Sequence, residues 1–456
     1  MSFEWRAYLR ENYDSHVEEL KEYLRIPSIS ALPDHNADVR AAADWVASKL
    51  KDAGFPEVEL IPTDRNPIVF AHWHVDDNQP TVMIYGHYDV QPPDPLELWE
   101  TPPFEPTERD GRLYARGASD DKGNSYATVK AIEALYKTDG QPPVNVKIFF
   151  EGEEEIGSPS MGPVIQQHKD KLSCDFVISA DGGMHAADQP SVTISSKGLG
   201  ACQVNLKTAA TDLHSGVHGA NVPNAVQSLI ELAATFHDEN HKIAIHGFYD
   251  HVVDLTDGDK ADIAAVPYNE DAYKEMVGVS ELKGEAGYTP NERAWARPTL
   301  DMNGVWGGFQ GEGVKTVTPN EAHLKITCRL VPDQNPEEIV KLIDAHCQKH
   351  CPPGATVTVE PTQGKAFPFS ISREHPGLKT AMEVLEDMYD KDVLVTRVGG
   401  TVPVAELFQR ELGSDMVFFS WGLPENGMHA PNESYRLVDF QKMREGYCRY
   451  LQALAR

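Results

Sequence analysis

Apolar positions recur three and four apart along Ser15–Leu24 and again along Asp38–Lys51, with Pro27 after the first run and Gly54 after the second. That spacing lays one apolar stripe on a helix, so two amphipathic helices are predicted in the first fifty residues, the second with Gly54 as C-cap. The pattern then shortens. Ile68–Trp73, Val82–Tyr85, Val146–Phe150, Phe176–Ser179 and Val417–Ser420 are brief apolar runs, rich in β-branched or aromatic residues and bounded by turn or polar residues. Runs of that length and composition read as strands. A helical pattern, Ser125–Tyr136, lies among them. The alternation predicts an α/β domain with a mixed, largely parallel sheet and helices on both faces.

The middle of the chain differs. Ala201–Leu206, Ala322–Leu330 and Thr356–Glu360 alternate as strands, and Ala225–Phe236 and Pro336–His346 read as helices. A polar stretch, Asp257–Arg297, interrupts them and reads as an extended loop with some helix. The expected organisation is one domain in two pieces, residues 1–197 and 371–456, around an inserted smaller α+β domain, residues 198–370. A length of 456 residues suits two or three domains of roughly 150 residues each.

Charge and composition narrow the function. A net charge of −29 opposes phosphate neutralisation, so nucleic acid is not an expected partner. No apolar stretch approaches the ~20 residues that span a bilayer. The start, MSFEWRAYLRENYD, lacks the charged-then-apolar order of a signal peptide, and a cytoplasmic location is expected. Six scattered cysteines in so long a chain do not read as a disulfide framework.

One stretch raises a chemical question. In VKIFFEGEEEIGS, residues 146–158, an apolar run leads straight into four glutamates within five positions. Other predicted strands also end in metal-capable side chains: His87 and Asp89 after TVMIYG, Asp181 after DFVISA, and His429 in the loop after MVFFSWG. YARGASDDKG adds Asp120 and Asp121 in a glycine-flanked turn ahead of a helix. Ligand sites in open α/β sheets lie beyond the carboxyl ends of the strands, so these groups are expected to converge. A divalent cation makes the acidic cluster tolerable. Imidazole and carboxylate suit zinc, with manganese or cobalt as substitutes. A carboxylate bridging two cations about 3.5–4 Å apart can clamp a hydrolytic transition state. One glutamate of an adjacent pair can bind metal while its neighbour acts as base.

The motifs YGHYDV, RGASDDKG, EGEEEIGS, SADGG and ENGMHAPNE, in that order, resemble those of the co-catalytic zinc peptidase family. That family includes carboxypeptidase G, aminoacylase, succinyl-diaminopimelate desuccinylase and the dipeptidases, and the likeness is strongest to its dipeptidase branch. The resemblance implies two zinc ions per subunit bridged by Asp120, one also held by His87 and Asp181, the other by Glu155 and His429. It implies Glu154 as the general base acting on a zinc-bridged hydroxide, Asp89 as the carboxylate orienting His87, and a cis peptide at Asp120–Asp121. Glu151 and Glu153 match no ligand. The inserted domain resembles the family's lid and dimerisation domain. TDLHSGVHG implies that His214 reaches the partner subunit's active site in a homodimer. GVKTVTPNEAHLKITCRLVP implies that Thr316 and Arg329 bind substrate, Arg329 through its terminal carboxylate, and RVGGTVPV adds Thr401. Aspartate at position 181, where carboxypeptidase and acylase members tend to carry glutamate, favours a substrate with a free amino terminus. The implied activity is hydrolysis of dipeptides. The alternative is an N-acyl or N-succinyl amino acid deacylase using the same site. HCQKHC, residues 346–351, carries soft-metal donors at helical spacing but reads as the end of a helix closed by Pro352-Pro353.

Overall fold

Six strands form the main sheet, in the spatial order Glu57–Ile61, Ile68–Trp73, Asn145–Glu151, Thr81–His87, Phe176–Ser179, Asp415–Phe418. The structure, a computed structural model, describes residues 4–455; residues 1–3 and 456, which the sequence reading counted in the outer pieces of the larger domain, lie outside them. The last four strands of the sheet run parallel, and the first two form an antiparallel margin. Asn145–Glu151 is buried along its whole length, which is why its sequence is a continuous apolar run rather than an alternating one. Helices lie on both faces. Tyr85 and Phe149 are register partners and meet Phe408 edge-on at 5.9 and 5.6 Å. Gly86 points to the opposite face by the two-residue alternation, and a Cβ there would stand 2.9 Å from Ser125 of the helix Lys122–Asp139. That helix packs against Leu437–Leu454 and is buried from Lys122 to Leu135.

The chain divides into two compact units. The first comprises residues up to Ile194, Ile371–Val395 and Leu407 onward; the second comprises Ser195–Ser370 and Thr396–Glu406. The second unit holds a four-stranded antiparallel sheet, ordered Asp301–Gly307, Glu321–Leu330, Gly198–Lys207, Thr356–Pro361. Its two central strands alternate buried and less buried positions. Val204, Leu206, Leu324 and Ile326 share a core with Leu229 and Leu232 of one helix and Ile339 and Ile343 of another.

Several elements differ from the sequence reading. A third helix, Glu4–Glu11, precedes the two expected near the N-terminus. The stretch Asp257–Arg297 is mostly helical, with helices at Asp257–Ala265, Glu270–Val277 and Pro290–Ala296. Residues 396–406, placed by sequence in the C-terminal piece, cluster with the second unit. Pro336–His350 runs a turn past its predicted end, because the prolines that stop it lie at 352 and 353. Among the described residues, no helix is long and apolar enough to cross a membrane.

Candidate metal centre

His87 closes the strand Thr81–His87, and Asp181 lies two residues beyond Phe176–Ser179, so neighbouring parallel strands deliver both to one end of the sheet. Asp120 arrives on the turn that starts Lys122–Asp139, next to a cis Asp120–Asp121 peptide bond. Glu154 and Glu155 occupy a single 3-10 turn, Glu154–Ile156, after the strand Asn145–Glu151. His429 sits on a loop with φ +61°.

These side chains form two groups that share Asp120. Ligand atoms of His87, Asp120 and Asp181 lie within 4.8 Å of one another, and so do those of Asp120, Glu155 and His429. The His87 Nε2 is 3.1 Å from Asp120 Oδ1, while His429 Nε2 is 2.9 Å from Asp120 Oδ2 and 3.2 Å from Glu155 Oε2. One carboxylate thus turns an oxygen toward each imidazole, as a bridging ligand must.

The electrostatics call for cations. Burial and the charges of Asp120 and Glu155 lift the Asp181 carboxyl to about 6. Burial, with Asp181, Glu155 and Glu151, pushes Glu154 well above the usual carboxylate range. Hydrogen bonds to Asp120 and Glu155 carry His429 up to about 10. Burial opposes protonation of His87, but its bonds to Asp120 and Asp89 win and raise it. Asp120 runs the other way: burial lifts it, and the two imidazoles bring it below its ordinary value. Acids that raise one another and imidazoles that hold protons between them are what a dication replaces: its charge lowers the raised acids and imidazoles and keeps Asp120 ionised. Imidazole nitrogen with carboxylate oxygen suits zinc, manganese or cobalt. The residues therefore fit a pair of divalent cations.

The surroundings orient the donors. The His87 Nδ1 faces the Asp89 backbone carbonyl at 3.1 Å, and the Asp89 Oδ1 stands 3.5 Å away. A proton held on Nδ1 in this way leaves Nε2 free to bind a cation. The other Asp89 oxygen accepts the Glu155 backbone N–H at 3.1 Å, so Asp89 touches both groups. Gln91, which the sequence reading passed over, donates to Glu155 Oε2 at 2.7 Å. Two of the four clustered glutamates are held by neutral donors. Glu153 accepts from the Asn66 and Ser160 backbone and from the Ser160 and Thr63 hydroxyls. Glu151 accepts from Tyr85 and Ser158, and burial raises it to about 8.

The remaining predicted residues belong to the second unit. Arg329 Nη1 donates to Thr401 Oγ1 at 2.7 Å, so these two are brought together. His214 is exposed and caps a short helix, its Nδ1 accepting from Gly216 N–H at 3.1 Å. It pairs with Val317 in a two-stranded ladder, which sets it beside the exposed Thr316. HCQKHC forms no metal group among the described residues. His346 bonds Thr235 at 2.8 Å and stacks on His350, and Cys347 is buried in the core.

The family described as Peptidase family M20/M25/M40 matches residues 83–453. The chain is 29% identical to the Cys-Gly metallodipeptidase dug1 of Schizosaccharomyces pombe over 97% of this chain and 96% of that protein. It is 27% identical to the Beta-Ala-His dipeptidase of Homo sapiens, over 93% and 87% of the two. Its fold matches an M20 family metallo-carboxypeptidase from Sulfolobus solfataricus with TM-score 0.79 and 31% identity, over 96% of this chain and 99% of that one. Human carnosine dipeptidase 1 matches with TM-score 0.75 and 26% identity, over 99% and 98%.

Proposed function

Because the chain belongs to peptidase family M20/M25/M40, we propose that it is a metal-dependent dipeptidase acting on dipeptides with a free amino terminus. The observation that carries this reading is the pair of ligand groups joined at Asp120, with Glu154 adjoining Glu155. Relatives named as dipeptidases support the substrate class.

In this reading His87, Asp120 and Asp181 hold one cation, and Asp120, Glu155 and His429 hold the other, with zinc expected and manganese or cobalt able to serve. The two cations, when bound, polarise the scissile carbonyl and acidify water. Glu154 takes the proton from the attacking water and returns it to the leaving amine. Burial and the neighbouring acids raise its proton affinity, His87 opposes them, and bound cations pull it back down. Asp89 orients His87 through its backbone carbonyl, and its carboxylate fixes the backbone of Glu155. Arg329, held by Thr401, binds the substrate's terminal carboxylate, a task that suits a planar guanidinium. Thr316 adds a hydroxyl beside His214. The second unit acts as lid and dimerisation domain, and His214 supplements the oxyanion site of the partner subunit.

The second reading is an N-acyl or N-succinyl amino acid deacylase using the same site; it too frees a C-terminal amino acid, as a carboxypeptidase does, and the likeness to the Sulfolobus metallo-carboxypeptidase supports it to that extent. Amino acid release from a plain dipeptide and from its N-acetylated twin separates the readings, with metal supplied and with metal chelated. Metal-dependent cleavage of the plain dipeptide alone is expected. Preference for the acetylated twin would overturn the dipeptidase assignment and keep the metal centre.

A further inference from the structure

We propose that Glu433 is a positioning residue that sets the distance between Asp120 and His429, and with it the affinity of the cation subsite made by Asp120, Glu155 and His429. The inference rests on reading the two ligand groups as cation sites.

The ligands of the two subsites are supported differently. His87 and Asp181 stand at or just beyond the ends of neighbouring parallel strands, so the sheet ladder fixes their spacing. Asp120 and His429 do not lie on strands. Asp120 is on a turn, and His429 is on a loop with its side chain 56% exposed. A short ladder, Ser434–Arg436 with Arg112–Tyr114, joins the two segments, but it reaches neither ligand and so does not by itself set their 2.9 Å approach.

Glu433 joins the two segments. It follows His429 by four residues and is fully buried. Its Oε1 accepts the backbone N–H groups of Ser119 at 2.8 Å and Asp120 at 3.0 Å. Its Oε2 accepts the Gly117 N–H and the Arg116 guanidinium, both at 2.9 Å. The Glu433 carbonyl accepts the Ala115 N–H at 3.1 Å. The carboxylate therefore closes on the backbone of the bridging ligand itself, and the loop that carries His429 follows. Asn426 adds a lesser tie, donating to Ser119 Oγ at 2.8 Å. Both carboxylate oxygens face donors only. A glutamine side chain presents N–H₂ on one side, so it must give up one of the two donor pairs.

The consequence is asymmetric. Without the clamp, His87 and Asp181 keep their strand positions, and Asp121 still accepts the His87 N–H at 3.2 Å, which anchors one side of the turn. Glu155 stays tied to Asp89 and Gln91. The ladder Ser434–Arg436 with Arg112–Tyr114 still joins the segments, but the Asp120–His429 approach loses the tie made at the ligand itself, so the second subsite weakens while the first persists.

The test is titration of the metal-free full chain with Mn2+ by calorimetry, with electron paramagnetic resonance of the loaded protein. Wild type is expected to bind two equivalents and give a spin-coupled spectrum. Glu433→Gln is expected to keep one site within about threefold and to weaken the other by about 10–100-fold, the range found when groups behind a metal ligand are removed, giving an isolated-ion spectrum. Two unaltered sites in the variant, or equal loss from both, would overturn the positioning role. Fewer than two sites in wild type would instead sink the cation-pair reading. Amide hydrogen exchange of wild type tests the clamp even where the variant fails to fold. Gly117, Ser119 and Asp120 should exchange as slowly as the interior of Lys122–Asp139, and fast exchange refutes the clamp.

Discussion

Glu154 and Glu155 are chain neighbours on one short turn, and their different surroundings support the different work proposed for them. Glu155 meets His429, Gln91 and the ordering carboxylate of Asp89, so it is held as a ligand is held. Glu154 is raised by burial and the neighbouring acids against the pull of His87. Glu154→Gln is therefore expected to lower kcat by about 10²–10⁴-fold, the usual contribution of a general base. Mn2+ stoichiometry by calorimetry should stay at the wild-type value, and a lost equivalent would make Glu154 a ligand. Residue types of this kind were legible in the sequence, because His, Asp and Glu at strand ends announce their chemistry by what they are. Glu433 and Gln91 were not. Glu433 stands in a motif, ENGMHAPNE, that pointed only to His429. Its partners are mostly backbone N–H groups, which no pattern of side chains records. Asp89 was legible as the partner of His87, but not that its carbonyl makes the nearer contact while its carboxylate turns to Glu155.

At the scale of elements, buried strands of the main sheet were the legible ones, although Val417–Ser420 was read two residues past the observed Asp415–Phe418 because the apolar run continues beyond the strand. Phe176–Ser179 matches its predicted span, and Asn145–Glu151 exceeds it by one residue at each end. The edge strand Asp301–Gly307 escaped notice because its residues are mostly exposed and two are glycine. Some helix was expected within 257–297, but its extent and positions were not, because the apolar faces are short, although two of the helices carry a readable start signal. Thr256 with Asp259 and Thr289 with Glu292 form capping boxes, each a threonine three residues ahead of an acid. The helix Leu437–Leu454 carries an element-level liability near its start. Asp439 is fully buried, neither carboxylate oxygen has a hydrogen-bond partner, and the nearest cation, Arg436 Nε, is 3.6 Å away. Burial lifts this carboxyl to about 6; Arg436, Lys442 and Arg112 pull it down, and Glu425 pushes with the burial. A folded pKa above the unfolded one means that stability falls as pH rises from about 4 to about 6 and stays lower above that. Asp439→Asn removes the penalty. It should raise stability at about pH 7.5 by up to ~3 kcal/mol, with the gain shrinking toward zero near pH 4. Urea midpoints of the two proteins at both pH values check this, and a gain that is larger in acid would contradict the sign.

At the scale of the whole molecule, a chain of net charge −29 repels its own copies, so a stable dimer needs apolar contact to offset that repulsion. The second unit offers such a surface. Its edge strand Asp301–Gly307 leaves Val305 65% exposed, and Ile230 and Phe309 line one depression beside it at 59% and 46% exposure. An uncovered edge with apolar side chains is a template for pairing with another chain, which supports the proposed homodimer. The same unit carries His214, whose exposed side chain caps a short helix. The sequence could suggest His214 only through family likeness, because a site completed by a second subunit leaves no spacing within one chain to read. Complementation tests the arrangement directly. Glu154→Gln and His214→Ala chains should each be nearly inactive alone. If His214 serves the partner's site, a mixed dimer gathers both defects in one site and leaves the other intact. Reassembly of equal amounts, with half the dimers mixed and one good site in each, should then restore about a quarter of wild-type turnover in a two-fold symmetric dimer. If His214 serves its own chain, every site in the mixture carries one defect and turnover stays at the level of the single variants. Steady-state rates of the reassembled mixture, with sedimentation to show that subunits have exchanged, decide between the two.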